Sequence, residues 1–266
     1  MKLEGKVAIV TGAGSGIGKA ISLALSREGA DVVTADIDIK SVKEVANEIR
    51  SLGHRAKPIK VDVSDSQEVG QLVEKTLNYF GKIDILVNSA GIDKLLPAEE
   101  LTEADWDRMI AVNLKGTFLC NQAVGKQMIK QKGGKIVNIA STGSHRAGVG
   151  QAAYCASKGG VLLLTKVLAI EWIKYGINVN SVSPGTTMTP MVEKAIEEYP
   201  DLLEVRQKMI PSRRLNKPDD ITRAVLFLTS PESDNIVGQD IIIDGGVCAA
   251  TPGAAYALAV EPPWSE

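Results

Sequence analysis

The sequence predicts an α/β fold in which helices cover both faces of a parallel sheet. Short runs such as Lys6–Thr11 and Ile83–Asn88 are rich in Val and Ile, as in strands that are buried on both faces. These runs alternate with longer amphipathic segments, which indicates right-handed crossovers between parallel strands. The chain contains no internal repeat and no linker rich in Pro or Ser, so a single domain is expected.

Each element is predicted from the same contrast between β-branched runs and amphipathic segments. The predicted strands are Lys6–Thr11, Asp31–Asp36, one within Arg55–Val63, Ile83–Asn88, Lys135–Ala140, Asn178–Ser183 and Asp240–Ile243. The predicted helices are Gly16–Glu28, Lys40–Leu52, Ser66–Tyr79, Glu103–Lys130 and Ala152–Tyr175. A tail rich in Ala and Pro, Val247–Glu266, follows; it either lacks fixed structure or covers a neighbouring subunit through Tyr256, Leu258 and Trp264.

The composition argues against several classes of protein. The 266 residues carry a formal net charge of −2, without the basic tract expected for nucleic-acid binding. The first apolar run is short and no stretch of about 18 apolar residues occurs, so neither a signal peptide nor a transmembrane helix is expected. Three scattered cysteines and two histidines give no metal-ligand spacing and fit a reducing compartment. We expect a cytoplasmic protein without a metal site.

A glycine-rich loop joins the first predicted strand to the first predicted helix. A nucleotide pyrophosphate must approach the backbone closely, which a Cβ atom would block, and the helix N-terminus offers free N–H groups. The alternative is a plain Gly-rich turn, but the position between strand and helix favours a dinucleotide site. The predicted cofactor-binding residues of this loop are Gly12, Gly14, Ser15, Gly16, Ile17 and Gly18.

Asp36 ends the second predicted strand, eighteen residues after Gly18 (36 − 18). A carboxylate at this point can accept hydrogen bonds from the ribose hydroxyls and repels a 2′-phosphate, which favours NAD(H) over NADP(H). The alternative is an ordinary turn residue, since Asp38 follows closely.

Two further strand ends supply candidate cofactor contacts. Asp62 and Val63 end the third strand, where the carboxylate could accept a hydrogen bond from the adenine amino group, although a polar strand end would look the same. Asn88, Ala90 and Gly91 follow the fourth strand, where small residues would let a cofactor lie against the backbone. A plain strand-to-loop turn is the alternative here as well.

Tyr154 and Lys158 are the candidate catalytic pair. Their spacing of four residues puts both on one helix face, where an ammonium, helped by a positive nicotinamide ring, would lower the pKa of the phenol and make it a usable base. Ser141 ends the fifth strand and could hydrogen-bond the reacting oxygen. Asn113 lies inside the long fourth helix; it is either a plain polar residue or marks an irregularity whose freed carbonyl holds a water near Lys158.

Taken together, these motifs resemble the short-chain dehydrogenase/reductase family over about Lys2–Gly246. The matching segments are TGAGSGIG, Asp62-Val63, NSAG, VNLKG, Ser141, YCASK, SPGTTMTP and IIIDGG. The resemblance implies a single Rossmann-like, doubly wound domain with a seven-stranded parallel sheet. It also implies hydride transfer between nicotinamide and a secondary alcohol or ketone.

The resemblance also assigns roles to individual residues. The catalytic residues would be Asn113, Ser141, Tyr154 and Lys158, with Tyr154 as the acid/base and Lys158 on the nicotinamide ribose. The nicotinamide carboxamide would lie against Pro184, Gly185, Thr187 and Thr189. Two positions depart from the family pattern: Ser89 replaces a common Asn, and Thr187 replaces the usual Ile or Val.

The resemblance says little about the substrate pocket, because its segments vary within the family. Residues 1–246 would form the domain, with a helical substrate insertion at about 186–215 and the tail at 247–266. The candidate substrate residues are Ser141, Gly143, His145, Arg146, Gln151, Tyr154, Met188 and Met191. Arg146, Arg206, Arg213 and Arg214 would bind an anionic substrate or lie as solvated surface charges.

The predicted function is an NAD(H)-dependent oxidoreductase for a small polyol, sugar, hydroxy acid or similar secondary alcohol. One alternative is an NADPH-dependent 3-oxoacyl-thioester reductase, against which Asp36 argues. The other is an inactive nucleotide-binding regulator, against which the complete set of catalytic residues argues. The resemblance further implies a homotetramer built on the helices Glu103–Lys130 and Ala152–Tyr175, with no nucleic-acid or membrane partner.

Overall fold

A computed structural model describes residues 2–198 and 201–251 and confirms the predicted fold class. Seven parallel strands form one sheet in the order β3-β2-β1-β4-β5-β6-β7. The strands are β1 Val7–Thr11, β2 Asp31–Asp36, β3 Ala56–Lys60, β4 Ile85–Asn88, β5 Gly134–Ile139, β6 Ile177–Pro184 and β7 Asp240–Ile243. The helices are α1 Gly16–Arg27, α2 Ile39–Ser51, α3 Ser66–Phe80, α4 Glu103–Ile110, α5 Thr117–Gln131, α6 Ala152–Trp172, α7 Pro190–Glu198, α8 Asp201–Met209 and α9 Pro218–Thr229.

The sheet lies between two hydrophobic cores, one on each face. In β1, Ala8 and Val10 belong to the core beneath α1, α2 and α9, while Ile9 between them belongs to the core beneath α3, α5 and α6. Successive side chains of a strand point to opposite faces, so a strand buried on both sides must be apolar at every position. This geometry explains the unbroken Val/Ile runs of the sequence.

The long fourth helix predicted at Glu103–Lys130 is interrupted. It consists of α4, a six-residue π-helical segment at Ala111–Gly116, and α5. Such segments widen the turn locally and often occur at functional sites. The predicted irregularity at Asn113 is therefore present, whereas the prediction of one continuous helix was wrong.

The helix α6 is more apolar than the sequence analysis allowed. Among the described residues, Ala152–Tyr175 is the one helical stretch long and apolar enough to cross a membrane by length and composition alone. It packs against β6 and contributes Leu168 and Ala169 to the core, and core helices often have this composition. Its last turn, Ile173–Tyr175, is a 3₁₀ helix rather than α-helix.

The sheet order creates the position of the site. The chain runs from β1 outward to β3, and then returns to place β4 on the other side of β1. In doubly wound sheets, ligands bind where this reversal opens a crevice beyond the carboxyl ends of the strands. Here those ends are Thr11 and Asn88, which are paired neighbours in the sheet.

Candidate active site

The glycine-rich loop approaches the end of β4 as closely as backbone atoms allow. Gly12 has φ +66°, and a Cβ atom on it would lie 2.7 Å from Cα of Ala90, so only glycine fits there. The hydroxyl of Thr11 accepts hydrogen bonds from the backbone N–H groups of Ser89 (3.2 Å) and Ala90 (3.3 Å). These contacts fix the floor of the crevice between β1 and β4.

The N-terminus of α1 has the properties that a pyrophosphate requires. Ser15 is the N-cap residue and makes no side-chain capping hydrogen bond, and the first turn contains no acidic residue. The leading N–H groups and the positive end of the helix dipole can therefore serve a bound phosphate. Ile17 packs against the hydrophobic core, so its contribution to a nucleotide site is limited to its main chain.

Asp36 lies beside this loop at the end of β2. One carboxylate oxygen accepts a hydrogen bond from the N–H of Gly14 (3.2 Å) and the other accepts from the N–H of Asp38 (3.1 Å). Its remaining lone pairs can accept hydrogen bonds from a diol. The structure thus brings together the loop and the acid that the sequence analysis linked only by spacing.

Asp62 and Val63 lie beyond the end of β3. The Asp62 carboxylate accepts hydrogen bonds from the backbone N–H and hydroxyl of Ser64 (2.9 and 2.6 Å) and lies 3.5 Å from a guanidinium nitrogen of Arg108. Burial raises the pKa of Asp62, but the hydrogen bonds from Ser64 and the charge of Arg108 outweigh it and leave the pKa lowered. The carboxylate is therefore ionised at neutral pH, and Ser64 and Arg108 already use part of its hydrogen-bonding capacity.

The Asn88 side chain lies in a buried amide cluster. Its Nδ2 donates to Oδ1 of Asn121 (2.9 Å) and of Asn138 (2.8 Å), and Asn138 donates in turn to Thr165 (2.9 Å). A cofactor contact at Asn88 can therefore come only from its main chain, which is the kind of contact predicted for this strand end. Ala90 and Gly91, which follow, are both at least partly exposed.

Ser141, Tyr154 and Lys158 lie together at the carboxyl end of β5. The Ser141 hydroxyl hydrogen-bonds the Tyr154 phenol and accepts from the N–H of Gly143 (3.0 Å). The Lys158 Nζ lies 5.9 Å from the centre of the Tyr154 ring and donates to the carbonyl of Ile139 (2.8 Å). The predicted catalytic face of α6 thus meets the predicted strand-end serine.

The electrostatics of this cluster differ from the prediction. Burial raises the pKa of Tyr154 above its ordinary value, the hydrogen bond from Ser141 offsets only part of this increase, and the negative charge of Asp93 adds to it. Burial also lowers the pKa of Lys158 from 10.5 to about 8. The expected lowering of the phenol pKa by the lysine was therefore wrong for the protein by itself, because desolvation dominates both groups.

Asn113 joins three elements around this cluster. Its Oδ1 accepts from the N–H of Ile92 (2.8 Å), while its Nδ2 donates to the carbonyl of Ile92 (2.9 Å) and to the hydroxyl of Ser157 (3.1 Å). Its own carbonyl accepts from the hydroxyl of Thr117 (2.7 Å). The fully buried side chain thus ties the segment after β4 to the π-helical segment and α6.

We expect Asn113→Ala to lower the free energy of unfolding by about 2–4 kcal/mol, because two main-chain groups of Ile92 lose their buried partner. Urea denaturation measures this change. The matched control is Thr117→Val, which removes one hydroxyl near the same turn and should cost about 1 kcal/mol or less. Equal losses in the two variants would contradict a stabilising role for the two hydrogen bonds between Asn113 and the main chain of Ile92.

The segment Pro184–Thr189 closes the crevice from the other side. The N–H of Gly185 donates to the carbonyl of Ile243 (2.8 Å), and Thr187 forms an isolated parallel bridge with Asn216. A Cβ atom on Gly16 would lie 3.3 Å from Cγ2 of Thr189. The predicted carboxamide segment therefore reaches the glycine-rich loop, and the unusual Thr187 is buried with its hydroxyl on the carbonyl of Gly185 (3.0 Å).

The predicted substrate residues differ in their surroundings. Gly143 and Gln151 adjoin the catalytic cluster: a Cβ on Gly143 would lie 3.4 Å from Cε1 of Tyr154, and Gln151 is the N-cap residue of α6. His145 instead turns to the edge of the sheet, where its Nε2 lies 2.8 Å from Asp240 and 3.2 Å from Ser183. Its selection as a substrate residue is therefore not supported by the geometry.

Three other substrate candidates are less defined. Arg146 is exposed, and Met188 is partly buried with its N–H donating to the carbonyl of Asn216 (2.8 Å). Met191 lies in the first turn of α7, and its side chain is outside the described residues. None of these contacts assigns a substrate role.

The other three candidate arginines make different contacts. Arg214 forms an exposed ion pair with Asp220 (2.6 Å), and Arg213 donates to the carbonyl of Lys208 (2.6 Å). Arg206 reaches from α8 to the hydroxyl of Thr186 (3.1 Å), and its Nε is buried without a partner among the described residues. Only Arg206 remains as an arginine from the insertion that adjoins the carboxamide segment.

Sequence reasoning missed several residues that build the site. Thr11 supports the turn after β4, and Asn216 holds the carboxamide segment. The negative charge of Asp93 affects the pKa of both Tyr154 and Lys158. Thr11 could have been found as the polar end of an otherwise apolar strand. Asp93 and Asn216 had no local signal, because their partners are distant in sequence.

Comparison with known proteins shows which family the chain resembles. A family model described as enoyl-(acyl carrier protein) reductase matches residues 12–248. The NAD-dependent glycerol dehydrogenase of Listeria innocua is 43% identical over 243 residues, which cover 91% of this chain and 93% of that protein. A 3-oxoacyl-(acyl-carrier-protein) reductase of Thermotoga maritima is 42% identical over 247 residues, which cover 93% of this chain and 99% of that protein.

Solved structures share the fold over nearly the whole chain. A short-chain type dehydrogenase/reductase from Mycobacterium marinum superposes with a TM-score of 0.87 at 36% identity, covering 92% of this chain and 96% of that one. A gluconate 5-dehydrogenase from Burkholderia cenocepacia, solved with NADP and tartrate, gives a TM-score of 0.90 at 34% identity, covering 94% and 98%. The fold and the site define an oxidoreductase that uses a nicotinamide cofactor and acts on alcohols. The chain belongs to the short-chain dehydrogenase/reductase family.

Proposed function

We propose that the protein is an NAD(H)-dependent dehydrogenase for a small secondary alcohol, such as a polyol, a sugar or a hydroxy acid. The observation that carries the proposal is the meeting of Ser141, Tyr154 and Lys158 at the strand ends beside the glycine-rich loop. Asn113 holds the adjoining segment in place through Ile92.

In this proposal each residue of the catalytic cluster has a separate role. Tyr154 takes the hydroxyl proton of the alcohol during oxidation and returns it to the carbonyl oxygen during reduction. Ser141 donates a hydrogen bond to the substrate oxygen as negative charge develops there. Lys158 places a cation beside the phenol and the cofactor ribose. A bound oxidised nicotinamide would supply the hydride acceptor, and its positive charge would help Lys158 to lower the pKa of the Tyr154 phenol.

The proposed cofactor preference rests on Asp36. Its carboxylate lies beside Gly14, where an adenosine ribose would lie in this family, and would repel a 2′-phosphate. The glycerol dehydrogenase described above is named as NAD-dependent. The gluconate 5-dehydrogenase structure contains NADP, so relatives of both kinds exist.

We expect Asp36→Asn to reduce kcat/KM for NAD about tenfold to hundredfold, because hydrogen bonds to a charged acceptor are lost. The same change should raise kcat/KM for NADP, since the repulsion of the phosphate disappears. The matched control is Asp38→Asn, which removes a carboxylate that caps α2 through Lys40 (2.9 Å) and should leave the NAD/NADP ratio unchanged. An unchanged ratio in the Asp36 variant would refute the proposed preference.

A second candidate is a 3-oxoacyl-thioester reductase, because a relative of that name is 42% identical. Such an enzyme should reduce an acetoacetyl thioester with NADPH faster than it oxidises any small polyol with NAD. Steady-state rates with both substrate pairs separate the two candidates.

We further propose a cytoplasmic homotetramer that assembles through the helical stretches Glu103–Lys130 and Ala152–Tyr175. Three apolar side chains on α6 support this assembly, because they are exposed to 64%, 47% and 73% in the single chain: Leu163, Val167 and Ile170. Exposed apolar groups along one helix are typical of an interface. Residues 186–215 would form the substrate insertion; the tail beyond Thr251 lies outside the described residues.

A further inference from the structure

Asp93 lies beside the catalytic cluster, in the segment that follows β4. A Cβ atom on Gly91 would lie 3.5 Å from Nζ of Lys158. Asn113 holds Ile92 through both of its main-chain groups, at 2.8 and 2.9 Å. Because Asp93 follows Ile92 directly, these two hydrogen bonds also fix the backbone of Asp93 near Lys158.

The Asp93 side chain is hydrogen-bonded to the segment that precedes α6. Nε2 of Gln151 donates to Oδ2 of Asp93 (3.2 Å), and Gln151 stands three residues before Tyr154 (154 − 151). The N–H of Leu96 also donates to the carbonyl of Gly150 (3.0 Å). The segment after β4 and the segment before α6 therefore form one wall, with a carboxylate exposed on it.

The Asp93 charge is not neutralised by its neighbour. The adjacent cation, Lys94, pairs with Asp105 at 2.8 Å. Within the described part of the chain, the bond from Gln151 is the one hydrogen bond that the Asp93 carboxylate receives. Its charge nevertheless acts on the catalytic pair: it adds to the increase in the pKa of Tyr154 that burial causes, and it opposes the decrease in the pKa of Lys158.

We propose that Asp93 determines substrate specificity by accepting hydrogen bonds from hydroxyl groups of a neutral polyol adjacent to its reacting carbon. The inference rests on the proposed function and narrows its substrate class. A carboxylate only accepts hydrogen bonds, and Gln151 leaves it free lone pairs for hydroxyl donors. A hydroxy acid would bring a second negative charge to the same wall, which disfavours it.

The test compares the wild-type enzyme with Asp93→Asn on three substrates: glycerol, glycerate and 2-butanol, which has no further hydroxyl group. Asn keeps an acceptor for Gln151, so the wall should remain intact. We expect kcat/KM for glycerol to fall at least about tenfold, mainly through KM, as for a lost hydrogen bond to a charged group. Removal of the Asp93 charge also changes the surroundings of Tyr154, which acts on all three substrates, so each value is compared with that for 2-butanol, which makes no such hydrogen bond. Relative to 2-butanol, kcat/KM for glycerol should fall by that factor and kcat/KM for glycerate should rise.

The matched control is Glu99→Gln, which removes an exposed carboxylate from the same segment and should change none of the three values. Equal losses on all substrates, an unchanged value for glycerol, or a wild-type preference for glycerate through a cation such as Arg206 would overturn the inference. If the wild-type enzyme oxidises no alcohol with either nicotinamide cofactor, the proposed function itself fails. That outcome is distinct from turnover that is insensitive to Asp93.

Discussion

Replacement of Tyr154 by Phe should reduce kcat for alcohol oxidation about 100- to 10,000-fold, the range expected for the loss of a general acid/base. The variant keeps the aromatic ring beside Lys158 and removes only the hydroxyl that hydrogen-bonds Ser141. Steady-state kinetics measured by the absorbance of the reduced nicotinamide give the change directly.

The affinity of this variant for NADH should stay close to that of the wild type, because the nucleotide crevice is built by the glycine-rich loop and Asp36. Fluorescence titration with NADH provides that control. This pair of results also separates an enzyme from an inactive regulator. A variant that keeps its full turnover would exclude Tyr154 as the acid/base.

The second large effect is a pH-dependent stability penalty at Lys158. Burial lowers the pKa of this ammonium from 10.5 to about 8, so between these values the unfolded chain binds a proton that the folded protein does not. The contribution of Lys158 to the free energy of unfolding therefore becomes more favourable as the pH rises from about 8 to 10.5. The shift of about 2.5 pKa units (10.5 − 8) corresponds to about 3 kcal/mol.

Lys158→Met removes this titration. We expect the stability of the wild type relative to the variant to increase by about 3 kcal/mol across that pH range, as measured by urea denaturation without added nucleotide. The variant also leaves the Ile139 carbonyl without its donor. That cost does not depend on pH, so it cancels when the slopes of unfolding free energy against pH are compared. The exposed Lys166→Met on the same helix should parallel the wild type. Parallel curves for Lys158→Met as well would show that the buried lysine keeps its ordinary pKa.

The sequence was sufficient for most of the fold. Strands such as β1 are apolar because both of their faces are buried, so their composition alone identifies them. The π-helical segment at Ala111–Gly116 was not predictable in extent. Its hydrogen-bond register depends on the contacts of Asn113 with Ile92 and Ser157, which are distant in sequence.

The site could be predicted where its chemistry is local. The glycine-rich loop and the pair of Tyr154 and Lys158 follow from spacing within one turn or one helix face. Asp93 could not be found this way, because its effect arises from segments that meet only in the folded chain. The raised pKa of Tyr154 could not be predicted from the sequence either. The spacing indicates a neighbouring cation, but it does not show the burial that raises the pKa of the phenol.

The central claim is that this site oxidises secondary alcohols with NAD. The most direct test is the initial rate of the full-length protein with a panel of polyols, hydroxy acids and simple alcohols, each measured with NAD and with NADP. The proposed function predicts reduction of NAD by at least one small polyol, with a higher kcat/KM for NAD than for NADP. Turnover restricted to NADPH and acyl thioesters, or no turnover with either cofactor, would contradict it.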